Sequence, residues 1–79
     1  MSEAEIYATL EDIFHDVFMQ DQIKLSPQMT AKDVAGWDSF KQIEIIIAVE
    51  GQYHIKFSTR ELDSLFSVGD LVRVIAGKV

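Results

Sequence analysis

Ser39 stands in the segment GWDSF, residues 36–40, behind an acid, between the aromatics Trp37 and Phe40, and directly ahead of a run of branched apolar residues. As a nucleophile it would need a base within hydrogen-bond reach and an oxyanion site. His15 and His54 are the only imidazoles, and neither has a second histidine or a cysteine at metal-ligand spacing. Gly36, Gly51 and Gly69 are scattered and form no phosphate-cradling loop. The absence of cysteine removes disulfides, protein thiolate chemistry and cysteine-based metal sites. Neither a catalytic residue nor a metal ligand is expected, and His15 reads as an exposed helix residue.

Two readings of Ser39 follow from local spacing. In the first, Ser39 and Gln42 form an S-x-x-Q capping box and the serine only starts a helix. In the second it marks a contact site. Phe40 is forced towards the surface by its place in the first turn, a long loop precedes the serine, and a greasy helix runs away from it. The second reading accounts for features that a mere cap does not require.

The elements that must position this segment are helical. Ile6, Leu10, Ile13, Phe14, Val17 and Phe18 fall on one helical face within residues 3–19, and Ser2 with Glu5 supplies a capping box. From Gln20 to Asp38 the periodicity disappears around Pro27, and Ile23, Leu25, Met29 and Val34 are the residues expected to pin this long loop. A second helix is predicted from Ser39 to about Gly51, with Ile43, Ile45, Ile46, Ile47, Ala48 and Val49 covering more than one face at ~100° per residue. Ser58 and Glu61 cap a short helical turn, and a last helix starts near Ser67 with Val68, Leu71, Val72 and Ile75 on one stripe. YHIKF, residues 53–57, alternates briefly and predicts a short extended piece.

The 79 residues predict one domain, 1–79, too small for a deep substrate cleft, which disfavours an enzyme. With 48% hydrophobic and 25% charged residues the chain has the balance of a folded protein. No apolar run approaches the ~20 residues of a membrane span and the N-terminus lacks a signal-peptide pattern, so a cytoplasmic address is expected. A net charge of −6, with Glu3, Glu5, Glu11, Asp12 and Asp16 ahead of any lysine or arginine, repels nucleic acid and favours basic protein surfaces.

Asp38-Ser39-Phe40 at the start of the second helix, Ile43-Glu44-Ile45 within it and Tyr53 beyond Gly51 complete a pattern that resembles the acyl carrier proteins, over nearly the whole chain and without obvious gaps. The resemblance implies an all-α, four-helix acyl-carrier-type bundle, three longer helices and one short, with a long loop between helices 1 and 2. It implies that Ser39 is esterified by 4'-phosphopantetheine, donated by coenzyme A through a phosphopantetheinyl transferase, and that the arm's thiol carries acyl groups as thioesters. The missing cysteine is then supplied by the cofactor. Asp38 would help dock the transferase. Phe40, Ile43, Glu44, Ile47 and Glu50 would meet acyl-loading and acyl-processing enzymes with basic surfaces, and the carrier would be a monomer. Ile46 and Val49, with Phe57, Leu62 and Leu65, are candidates to shelter an acyl chain, although most of them also fit a plain core. Peptidyl or aminoacyl carriers, and an acidic helical adaptor that carries nothing, are the alternative readings.

The sequence departs from the family pattern at several places. Phe40 stands for the usual leucine, Trp37 is large where the family is often small, Gly51 interrupts the acidic end of helix 2, and Lys41 puts a positive charge on the recognition face. A clash between Lys41 and a basic partner rim would exclude housekeeping enzymes, which points to a dedicated pathway.

Overall fold

A computed structural model describes residues 2–79. The described chain contains helices α1 (Glu3–Phe18), α2 (Ser39–Tyr53), α3 (Thr59–Asp63) and α4 (Val68–Lys78), with a 3-10 turn at Ala31–Asp33 and no strand among the described residues. The all-α, four-helix expectation holds. The extended piece predicted at YHIKF is absent: Tyr53 still belongs to α2, and Ile55–Phe57 runs on without a pairing strand.

Helix α1 starts where its local chemistry dictates. The Ser2 hydroxyl accepts from the Glu5 amide and the Glu5 carboxylate accepts from the Ser2 amide, satisfying two donors that the first turn would leave unpaired. Ile6, Leu10, Ile13 and Phe14 are buried from this helix against Ile45, Ile46 and Val49 of α2 and Val68, Leu71, Val72 and Ile75 of α4. Ser67 and Asp70 repeat the capping box at α4, and Ser58 and Glu61 repeat it at α3.

Helix α2 continues past the predicted stop at Gly51 and ends on His54, which takes the left-handed conformation at φ 57° and donates its amide to the Glu50 carbonyl. An interior glycine disfavours a helix by only ~1 kcal/mol, and half-buried Tyr53 packs against the core, so packing overrides the local signal. A Cβ at Gly51 would meet open space. Gly51→Ala is therefore expected to stabilise the protein by about 0.5–1 kcal/mol in urea unfolding.

The loop between α1 and α2 is held at both ends. His15 Nε2 donates to the Ile23 carbonyl at 3.0 Å and the Leu25 amide donates to the Glu11 carboxylate at 3.0 Å. His15 is thus half-buried and tied to the loop, contrary to the exposed position expected. Further along, the Val68 amide donates to the Met29 carbonyl at 2.9 Å and the Gly69 amide to the Pro27 carbonyl at 3.0 Å, which docks the loop onto the start of α4. Val34 is buried, and Ile23, Leu25 and Met29 pack against the core as predicted. At Gly69 an added Cβ would lie 2.9 Å from the Pro27 carbonyl oxygen, a backbone atom that can move only with the loop. Gly69→Ala is expected to lower stability by about 1–3 kcal/mol, measured by urea unfolding.

Glu61 joins α3 to α4 through an ion pair with Lys78 at 3.0 Å. The Ser58 amide, and after it Lys78, hold the Glu61 carboxyl below the usual carboxylate range. A depressed folded-state pKa stabilises the fold above the ordinary glutamate pKa, and the gain is lost as pH falls through the folded value. Urea unfolding at a series of pH values should show wild type losing stability as pH falls through the folded Glu61 value, and Glu61→Gln, less stable at neutral pH, should show a smaller loss over the same range.

Candidate functional site

The start of α2 differs from the predicted capping box. Asp38 is the N-cap, its carboxylate Oδ1 accepting from the Lys41 amide at 2.9 Å, and Ser39 is the first residue of the helix. Gln42 is diverted from capping because its Oε1 accepts from Trp37 Nε1 at 2.8 Å. The Ser39 hydroxyl is thereby released from the helix end, on an exposed residue between exposed Asp38 and Phe40.

Trp37 does not wall the serine in. Its indole sits edge-on to Phe14, with centroids 5.1 Å apart and planes at 89°, and also meets Phe18 at 6.2 Å. This large side chain is directed onto α1, where it anchors the end of the loop, and it also borders the groove. Edge-to-face contacts of this kind add about 0.5–1.5 kcal/mol beyond area burial.

A groove of about 680 Å³ opens beside Ser39. Ile43, Ile46 and Ile47 of α2 line it together with Leu62, Leu65 and Phe66, and Trp37, Gln42, Leu71 and the polar residues Asp38, Ser39 and Ser67 also border it. Of the residues considered for an acyl shelter, Ile46, Leu62 and Leu65 line this space, whereas Val49 and Phe57 do not and Val49 is fully buried core. Phe66, 77% exposed, is the large lining residue that sequence reasoning missed, with Ala31 beside the groove as well. The signal available was a large aromatic in the short segment between the two serine-capped helices.

The predicted contact residues separate into two groups. Phe40, Ile43 and Ile47 are exposed apolar side chains on α2 at 77%, 56% and 62% exposure, and Glu44 is exposed beside them. Ile43 and Ile47 also line the groove, so one apolar strip serves both surfaces. Glu50 stands apart: it is half-buried, and its Oε2 accepts from the Phe57 amide at 2.9 Å, fastening the segment that leaves α2. Lys41 is likewise engaged. Its Nζ donates to the Val17 carbonyl at 3.2 Å and lies 3.6 Å from Glu44, so its charge rests at the negative end of α1.

Comparison with known proteins agrees with this arrangement. The family described as "Phosphopantetheine attachment site" matches residues 8–75. A Schizosaccharomyces pombe protein described as a mitochondrial acyl carrier protein is 32% identical over 57 residues, 72% of this chain and about half, 51%, of that protein's length. The meromycolate extension acyl carrier protein of Mycolicibacterium aurum is 31% identical over 74 residues, covering 94% of this chain and 76% of its own. The solution structure of a holo acyl carrier protein from Geobacter metallireducens superposes with a TM-score of 0.86 at 38% identity, covering 91% of this chain and 83% of that one. With a family match across almost its full length and an acyl carrier fold around the groove, the chain belongs to the acyl carrier proteins, the phosphopantetheine-attachment family whose cofactor is covalently bound 4'-phosphopantetheine.

Proposed function

We propose that Ser39 is the attachment point of 4'-phosphopantetheine and that the protein carries acyl groups between separate enzymes without catalysing their chemistry. The observation that carries this reading is the exposed Ser39 hydroxyl at the first position of α2, relieved of capping by Asp38 and placed at the mouth of an apolar groove.

The residues present fit the group. The first-turn amides of Ser39 and Phe40 are donors that a helix cannot use internally, and they point with the positive end of the dipole towards an arriving phosphate. At α4 the equivalent amides of Val68 and Gly69 are occupied by loop carbonyls, so the two helix starts are not interchangeable. When attached, the arm supplies a thiol that holds an acyl group as a thioester. Asp38 commits one carboxylate oxygen to the Lys41 amide and presents the other to the incoming transferase.

Phe40, Ile43 and Ile47 offer apolar contact to partner enzymes, Glu44 offers charge, and the net charge of −6 draws basic rims towards the monomeric carrier. Contacts of this type raise encounter rate and fix orientation more than they add affinity, which suits a shuttle that must dissociate. Glu50 contributes to that surface only as a fastening for the Phe57 segment. A phenylalanine at position 40 supports service in a dedicated acyl pathway. Malonyl loading by a housekeeping transacylase as efficient as that of a general carrier would count against it.

The deciding experiment is incubation with coenzyme A and a broad-specificity phosphopantetheinyl transferase, followed by intact mass measurement. A gain of one phosphopantetheine that depends on Ser39 is the expected result. An unchanged mass would leave an acidic adaptor with a capped helix.

A further inference from the structure

Gln42 is a polar side chain among the isoleucines of the α2 wall of the groove, whose other polar lining residues, Asp38, Ser39 and Ser67, sit at the starts of α2 and α4. It is half-buried, one helical turn beyond Ser39, and shares the groove lining with Ile43 and Ile46. The indole N–H of Trp37 is a donor with no acceptor capacity, so the 2.8 Å bond to Gln42 obliges the carboxamide to present its oxygen to Trp37. Trp37 is itself fixed by its edge contacts on Phe14 and Phe18. The chain Phe14, Trp37, Gln42 therefore sets the orientation of the Gln42 amino group. Its two N–H donors find no acceptor among the described residues, and the atom is not among the buried orphans, so it is open to solvent on a residue that lines the groove.

We infer that the Gln42 amino group is a built hydrogen-bond donor for the first amide carbonyl of the protein's own phosphopantetheine arm, laying the arm along the groove. The inference rests on Ser39 as the attachment point. Residues three apart on a helix lie about 5–6 Å apart at Cβ, and the first amide carbonyl of the arm follows the phosphate by only a few bonds, whereas the thioester lies at the far end. An acceptor at this depth belongs to the arm and not to the cargo. Docking excludes water from the donor, and an occupant without an acceptor would leave it unsatisfied, so the groove favours the arm over a plain hydrocarbon at this point.

Nuclear magnetic resonance of the ¹⁵N-labelled protein, apo and then loaded from unlabelled coenzyme A, tests the assignment. On loading, one Gln42 side-chain amide proton should move downfield and show contacts to the geminal methyl protons of the arm. Gln42→Met, similar in length but without a donor, should load fully and keep the backbone spectrum while the docked arm population falls roughly tenfold, the loss of one hydrogen bond. Trp37→Phe keeps a ring on Phe14, removes the N–H and should weaken the same contacts without preventing loading. Unmoved Gln42 resonances in a sample whose mass proves complete loading would overturn the inference. So would a shift that appears only after a 3-oxoacyl group is attached, since the acceptor would then be cargo. A sample that gains no mass removes the Ser39 reading, and this inference with it.

Discussion

Ser39→Ala is expected to abolish phosphopantetheine loading completely while changing unfolding free energy by no more than about 0.5 kcal/mol. The two effects separate because Asp38 and not Ser39 caps α2. Removing the hydroxyl takes away the only atom at which the proposed ester could form, and alanine is the best of all residues in a helix. Asp38→Ala has the converse profile. It loses the bond to the Lys41 amide, costs about 1 kcal/mol of stability, and slows loading without removing the acceptor oxygen. Intact mass after exhaustive treatment with transferase, beside urea unfolding of both variants, checks the pair. Residual loading of Ser39→Ala would mean that another residue takes the arm.

Phe14→Ala should give the largest loss of stability, about 3–5 kcal/mol. Phe14 is fully buried and supports both Phe18 and Trp37, so its removal leaves a cavity on α1 and withdraws the seat of the loop that ends at Asp38. Native domains have only ~5–15 kcal/mol in hand, so the unfolded-to-folded ratio should rise roughly 10²–10⁴-fold and loading should slow to the extent that the folded state is depleted. That loss differs in kind from the loss at Ser39. An osmolyte that strengthens burial should restore loading of Phe14→Ala and leave Ser39→Ala inert. Restoration of both, or of neither, would contradict this division between support and attachment.

How far the fold was legible depended on whether its cause was local. The capping boxes at Ser2–Glu5, Ser58–Glu61 and Ser67–Asp70 are closed within four residues, and the helices start where those patterns place them. At α2 the starting residue Ser39 was read correctly and its cap was misread. Asp38 and Ser39 are both good caps, and local spacing offered Gln42 as the partner that would select the serine. What excluded it was Trp37, whose N–H takes the Gln42 oxygen and whose ring is seated on α1, a tertiary fact with no signature in the window. The end of α2 is similar: Gly51 is a local stop signal, overridden by the packing of Tyr53 and the capture of the Phe57 amide by Glu50. Glu50 was consequently assigned to partners when its carboxylate already had one inside the chain. At the candidate site the serine and the apolar strip of α2 were readable from residue type and period, whereas the opposite wall, with Phe66, required the packing of α3 and α4 against α2.

The docking of the Pro27–Met29 segment on α4 bears on the order in which the molecule opens. The amides of Val68 and Gly69 take their acceptors from a distant part of the sequence, and Asp70 takes Ser67, so the first turn of α4 is closed only when the interhelical segment is in place. Solvent exchange of those two amide protons is then gated by release of the segment and not by fraying of the helix itself. That release stops short of Val34, which is buried, and of Trp37, which stays seated on α1, so the protection of the last helix reports on the middle of the loop while the proposed attachment end keeps a hold of its own.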